Sequence, residues 1–146
     1  MIEALYAASQ AGVRIDLQIR GICCLKPGVN GLSENISVTS IVGRFLEHTR
    51  LYWFRNGGDE DLLFGSADLM GRNLDRRMET LFPISDPKLR SAVRDDVLLL
   101  HLRDTAKLRI LDSSGAWRLA QPEPGTERLC SQSYLLEHGG SWRGED

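Results

Sequence analysis

The segment that most constrains the fold is the opening one. Ile2, Leu5, Tyr6 and Ser9 recur at helical spacing, Gly12 ends the pattern, and Ile15-Asp16-Leu17-Gln18-Ile19 then alternates as a strand does. A helix, a glycine turn and a strand make half of a βαβ unit, so a mixed sheet flanked by helices is expected. The first helix lacks an N-cap and starts in mid-pattern, which predicts a chain cut from something longer, with the preceding strand missing.

Further along, Gly21, Pro27, Gly28 and Gly31 make residues 20–34 a loop, with an apolar Ile22-Cys23-Cys24-Leu25 run inside it. Ile36, Val38, Ser40 and Val42 line one face of a second strand. Gly43–Glu47 is compatible with a single helical turn. Leu51–Phe54 and Leu62–Phe64 flank Asn56-Gly57-Gly58, a hairpin signal, because left-handed backbone is cheapest at Asn and Gly. Residues 72–77 read as an Arg-rich loop and Leu81–Ile84 as another strand. Asp86-Pro87 starts a helix running to about Leu102. A hairpin follows across Ser113-Ser114-Gly115, then a Pro/Gly loop over 121–126 and a last helix over 129–137. The reading is one α/β domain, folded over 1–138, with 139–146 a frayed tail.

At 146 residues the chain can bury a proper core. Its net charge of −2 gives no global electrostatic reason to expect nucleic acid or an anionic membrane. No apolar run reaches the length needed to span a bilayer. No signal peptide is expected, and three cysteines without a disulfide or metal spacing suit a reduced cytoplasmic chain. Of 18 basic residues only Lys26, Lys88 and Lys107 are lysines. The arginine fork suits phosphate and carboxylate oxygens, and GC-rich codon usage explains the bias equally well.

The residues that can do chemistry gather between Val42 and Asp75. His48 and Arg50, two apart on an extended segment, point the same way. A neutral imidazole can attack phosphorus or take a proton, its cation can donate to a leaving oxygen, and a neighbouring Arg neutralises transferring phosphate oxygens. The hairpin brings Gly65-Ser66 and Asp68 near them, where either side chain could meet phosphate or orient the imidazole. Arg20 closes the first strand, at the end where open α/β sheets bind ligands. Arg72, Arg76 and Arg77 form either a polyanion site or a loop ion-paired with Asp75 and Glu79.

His48-x-Arg50, a hairpin, then Gly65-Ser66-x-Asp68 resembles the His-x-Lys … Gly-Ser-x-Asn half-motif of the phospholipase D superfamily. Arg50 replaces the Lys, and Arg55 stands where an acidic residue is expected, which weighs against a plain phosphodiesterase. Over a much longer stretch, ALYAASQAGVRIDLQIRGICCLKPGVNGLSENI, SIVGRFLEHTRLYWF and LFGSADLMGRNLDRRMETLFPI resemble the C-terminal domain of bacterial polyphosphate kinase. That resemblance implies a phospholipase D-like half that shares an active site with a preceding half.

It implies reversible transfer of the ATP terminal phosphate to polyphosphate through a phosphohistidine in the preceding domain. Arg20 and His48 would contact nucleotide, and His48 would be the assisting catalytic residue. Chemistry and position add Arg50, Ser66, Arg72 and Arg76 as phosphate contacts, and Arg44 more weakly. Substrates would be ATP or ADP and polyphosphate, with magnesium held mainly by the preceding domain. The partners would be that domain and further copies in a homo-oligomer, with no nucleic acid. The setting would be cytoplasmic, with membrane association open to the full-length enzyme. The isolated piece would be inactive. The competing expectation is a phospholipase D-like phosphodiesterase or nuclease working as a homodimer.

Overall fold

The strand that begins at Ile15 pairs in parallel with Ile36–Ile41, in the register Ile15↔Ile36 to Gln18↔Thr39. A computed structural model describes residues 1–122 and 124–143. In chain order these form α1 (Ile2–Gln10), β1 (Ile15–Gln18), β2 (Ile36–Ile41), β3 (Leu51–Phe54), β4 (Asp61–Gly65), α2 (Gly71–Arg76), β5 (Leu81–Pro83), α3 (Pro87–Val93), α4 (Leu100–Leu102), β6 (Leu108–Leu111), β7 (Trp117–Leu119) and α5 (Ser131–His138). The α/β chain divides into two compact units, Met1–Glu47 with His101–Tyr134, and His48–Leu100 with the segment from Leu135 onward.

The first unit carries the expected mixed sheet, in the order β1-β2-β6-β7. β2 is interior to it, pairing with β1 on one edge and antiparallel to β6 on the other. It is also buried on both faces, Thr39 and Ile41 as well as Ile36 and Val38, rather than on the single face that alternation suggests. The crossover from β1 to β2 is a loop, because Pro27 and the left-handed Gly28 and Gly31 bar a helix there. The loop is fixed from inside. Leu25 joins Ile36, Val38 and Leu111 in the core, and Leu5 and Tyr6 of α1 pack against them. Tyr6 Oη accepts from the Lys26 amide at 2.9 Å, and the buried Ser33 hydroxyl donates to the Lys26 carbonyl at 2.6 Å.

Asp104 in this unit is 1% exposed and accepts four hydrogen bonds. Its Oδ1 takes the Ala106 and Lys107 amides at 2.9 and 2.7 Å. Its Oδ2 takes the Ser131 amide and hydroxyl at 2.7 and 2.8 Å, capping α5 from a distant part of the chain.

The second unit holds an antiparallel sheet, β3-β4-β5. The aromatic hairpin thus builds its own sheet. Asn56 and Gly57 turn it with φ of +43° and +68°, as the Asn-Gly-Gly signal requires. Cross-strand pairing puts Trp53 opposite Leu62, which is 1% exposed, and stacks Phe64 on Phe82 with centroids 5.8 Å apart.

Asp86 Oδ1 accepts the Leu89 amide at 2.7 Å and Pro87 is the first residue of α3, so that helix starts where its sequence predicts. Its continuation is π-helical over Arg94–Leu99, where the Arg94 fork holds Asp95 and reaches Glu60 at 2.6 Å. Those carboxylates raise the Arg94 pKa, with Asp95 the larger cause.

Two local expectations are corrected. The Arg-rich segment is helical over Gly71–Arg76, and residues 43–47 form no helical turn. Ser141–Arg143 makes a short turn in which the Ser141 amide and hydroxyl donate to Asp96. Residues 144–146 of the expected frayed tail, and Glu123 of the Pro/Gly loop, lie outside the described residues.

Candidate functional site

The second unit holds His48 and Arg50 next to each other. The Gly65 amide donates to the Arg50 carbonyl at 2.9 Å, so the β3–β4 ladder extends one residue beyond β3. Positions 50 and 52 therefore share a side of the ladder.

Arg50 is the hub of this site. Its Nε and Nη2 both donate to Asp68 Oδ1, at 3.1 and 3.0 Å. Its Nη1 donates to the His48 carbonyl at 2.9 Å and lies 2.8 Å from His48 Nδ1 and 3.2 Å from Nε2. Arginine has no acceptor, so a ring nitrogen that bonds Nη1 does so through its lone pair, and both nitrogens lie within reach of this one donor. Arg50 is only 14% exposed at its side chain, whereas the His48 ring is open to solvent. Tyr52 donates to the Ala67 carbonyl at 3.3 Å. Burial pushes its phenol up, against the opposing pull of Arg50.

Ser66 is engaged elsewhere. Its hydroxyl donates to Glu79 Oε2 at 2.5 Å and accepts from the Thr80 amide at 3.0 Å, while Glu79 also faces Arg77 at 3.5 Å. The strand-end corner is thus bracketed to β5. Arg72 and Arg76, four apart on α2, share a helix face and are exposed. Asn73 between them is buried, at 2% exposed.

Arg20 and Arg44 belong to the first unit. Arg20 lies two residues past the end of β1, and its Nη1 donates to the Glu47 carbonyl at 2.9 Å. Arg44 is exposed, with its guanidinium 5.4 Å from the centre of the Phe45 ring.

Sequence reasoning missed a buried cluster in this unit. His101 Nε2 is 3.2 Å from Glu47 Oε2, and Gln132 Nε2 donates to Glu47 Oε1 at 2.5 Å. The His101 hydrogen bond, aided by Gln132 and opposed by burial, holds the Glu47 carboxyl below its ordinary value. No local signal marks Gln132, which lies 87 residues from the Phe45 backbone it bonds.

With this geometry in place, the comparisons with known proteins fall into one group. The family described as polyphosphate kinase C-terminal domain 2 matches residues 1–132. The polyphosphate kinase 1 of Chlorobaculum tepidum is 58% identical over 120 residues, covering 82% of this chain and 17% of the relative. That of Pseudomonas aeruginosa is 50% identical over 137 residues, covering 94% and 20%. The crystal structure of polyphosphate kinase from Porphyromonas gingivalis superposes with a TM-score of 0.88 at 42% identity, covering 94% of this chain and 21% of that one. The chain belongs to the polyphosphate kinase C-terminal domain family, and it spans about a fifth of the length of these relatives.

Proposed function

We propose that this chain works within a longer ATP:polyphosphate phosphotransferase, as one half of its active site. The observation that carries the reading is the family match over residues 1–132, joined to 50–58% identity with proteins named polyphosphate kinase.

In the proposed reaction a histidine of the preceding domain attacks the ATP γ-phosphorus. The bond to the β-phosphate oxygen breaks and ADP leaves. A terminal polyphosphate oxygen then attacks the phosphohistidine, the P–N bond breaks, and the polymer grows by one phosphate. The reverse sequence regenerates ATP. Catalysis of this kind is mostly positioning and charge stabilisation.

His48 would meet a phosphate or leaving oxygen as a proton donor or by its charge, with the Arg50 guanidinium against its ring. Arg50 spends its fork on Asp68 and His48, so its influence on phosphate is through charge and through the imidazole. Arg20 would hold nucleotide phosphates, and Arg72 and Arg76 would face the polymer. Ser66 would meet phosphate by exchanging Glu79 for substrate.

Among the described residues no three His, Cys, Asp or Glu side chains gather as a metal-holding group. Magnesium, if used, would be held by the preceding domain. Cytoplasmic residence fits three free cysteines. Among the described residues no helix is long and apolar enough to cross a membrane. Assembly as a homo-oligomer belongs to the same proposal.

The test is reconstitution. This chain alone should make no polyphosphate from ATP, and supplying the preceding domains should restore synthesis. Turnover by the pure chain would overturn the shared-site reading, and release of product from a generic phosphodiester would favour the phospholipase D-like alternative.

A further inference from the structure

The segment leading into His48 has no helical turn and no strand of its own, yet it is held at several points. Gln132 is 7% exposed, and its amide is fully used. Its Oε1 accepts the Phe45 amide at 3.1 Å, and its Nε2 donates to the Phe45 carbonyl at 2.8 Å and to Glu47 Oε1 at 2.5 Å. Gly43 lies against this amide so closely that a Cβ there would overlap Gln132 Oε1. A side chain bonded three ways cannot swing aside cheaply, so glycine is needed for contact rather than for backbone freedom. His101, also 7% exposed, approaches the second Glu47 oxygen at 3.2 Å. Arg20 grips the Glu47 backbone carbonyl at 2.9 Å.

Glu47 is therefore a node. Its carboxylate is clamped by His101 and Gln132, its carbonyl is bonded to Arg20, and its peptide continues directly into His48. A half-buried carboxylate with a donor on each oxygen is a rigid post, whereas an exposed loop glutamate would hold nothing.

We infer that Glu47 is a positioning residue for the phosphotransferase reaction, fixing through the His101–Gln132 clamp the backbone carbonyl that orients Arg20. It touches no substrate. The inference rests on the kinase reading for its effect on turnover, but the clamp itself can be tested without it.

The experiment uses the full-length enzyme and three variants. Glu47→Ala removes the post, His101→Leu removes one donor, and His101→Gln keeps an N–H donor of similar reach. Steady-state ATP-dependent polyphosphate synthesis is measured per folded molecule, alongside amide hydrogen exchange over residues 43–48. Glu47→Ala and His101→Leu should lower kcat, by up to about 100-fold for a displacement near 1 Å. They should also raise the KM for ATP through Arg20. His101→Gln should keep wild-type kcat and KM, and exchange over 43–48 should quicken in the first two variants only. Unchanged exchange in folded Glu47→Ala overturns the clamp whatever the activity shows. Quickened exchange with unchanged kcat and KM overturns the positioning role. If the wild-type enzyme makes no polyphosphate, the kinase reading fails separately, and the exchange result still decides the clamp.

Discussion

Replacing Asp68 by alanine probes the hub of the second unit. Asp68 Oδ1 receives two guanidinium N–H groups, and the pair is partly shielded, with side-chain exposures of 14% for Arg50 and 30% for Asp68. Hydrogen bonds to charged groups contribute about 1.5–3 kcal/mol each when well shielded. Here both fall on one oxygen near the surface, so about 1–2 kcal/mol of stability in total is expected.

The functional cost should be as large. Without Asp68 the Arg50 side chain regains its rotamers, and the contacts from Nη1 to the His48 carbonyl and ring lose their anchor. Misplacing an assisting group by about 1 Å costs on the order of 100-fold. A 10- to 100-fold drop in kcat, about 1.4–2.7 kcal/mol of barrier, is therefore expected. Asp68→Asn keeps an oxygen in place and should fall between alanine and wild type. The assay is steady-state polyphosphate synthesis by the full-length enzyme. Wild-type kcat in a folded Asp68→Ala enzyme would refute the claim that Asp68 acts on His48 through Arg50.

Other outcomes follow from the same geometry. Asp104→Ala removes the acceptor of the Lys107 and Ser131 amides and of the Ser131 hydroxyl in a site 1% exposed, while the Ala106 amide keeps the Leu129 carbonyl, so denaturant unfolding should show a loss of about 3–5 kcal/mol, whereas an exposed carboxylate would change little. Leu62→Ala, at a position 1% exposed, should cost about 2–5 kcal/mol in the same assay. Arg50→Lys should lose most of the His48 effect, because a point charge cannot bond Asp68 and His48 in one fixed fork; urea denaturation should show it folded while kcat falls. The Glu47 carboxyl is lowered from an ordinary 4.5 by its partners. Its stabilisation is thus fully present above pH 4.5 and lost as the pH falls through the lower folded value, and Glu47→Gln should flatten that acid limb of the stability curve.

Much of the fold was legible because its signals are local. Asn56-Gly57-Gly58 specifies a tight reversal, and Asp86-Pro87 specifies a helix start, whatever lies elsewhere. The α2 helix was not legible, since it begins at Gly71 after Met70, with no capping side chain to announce it. The π-helical stretch at Arg94–Leu99 was hidden as well, because α and π turns share the same apolar spacing over so few residues.

The candidate site divides in the same way. His48, Arg50 and Asp68 could be placed together because a short hairpin separates them. Ser66 reads from sequence as a phosphate or imidazole contact, since Glu79 comes 13 residues later and reads as an ion-pair partner of the Arg cluster. The clamp on Glu47 draws on His101 and Gln132, whose proximity only the folded first unit creates.

The measurement closest to the central claim is the turnover of full-length enzyme carrying His48→Ala. If His48 supplies the assisting proton or charge, kcat for polyphosphate synthesis should fall by about 10²–10⁴-fold while the protein stays folded. A His48→Ala enzyme that makes polyphosphate at the wild-type rate would remove His48 from the mechanism.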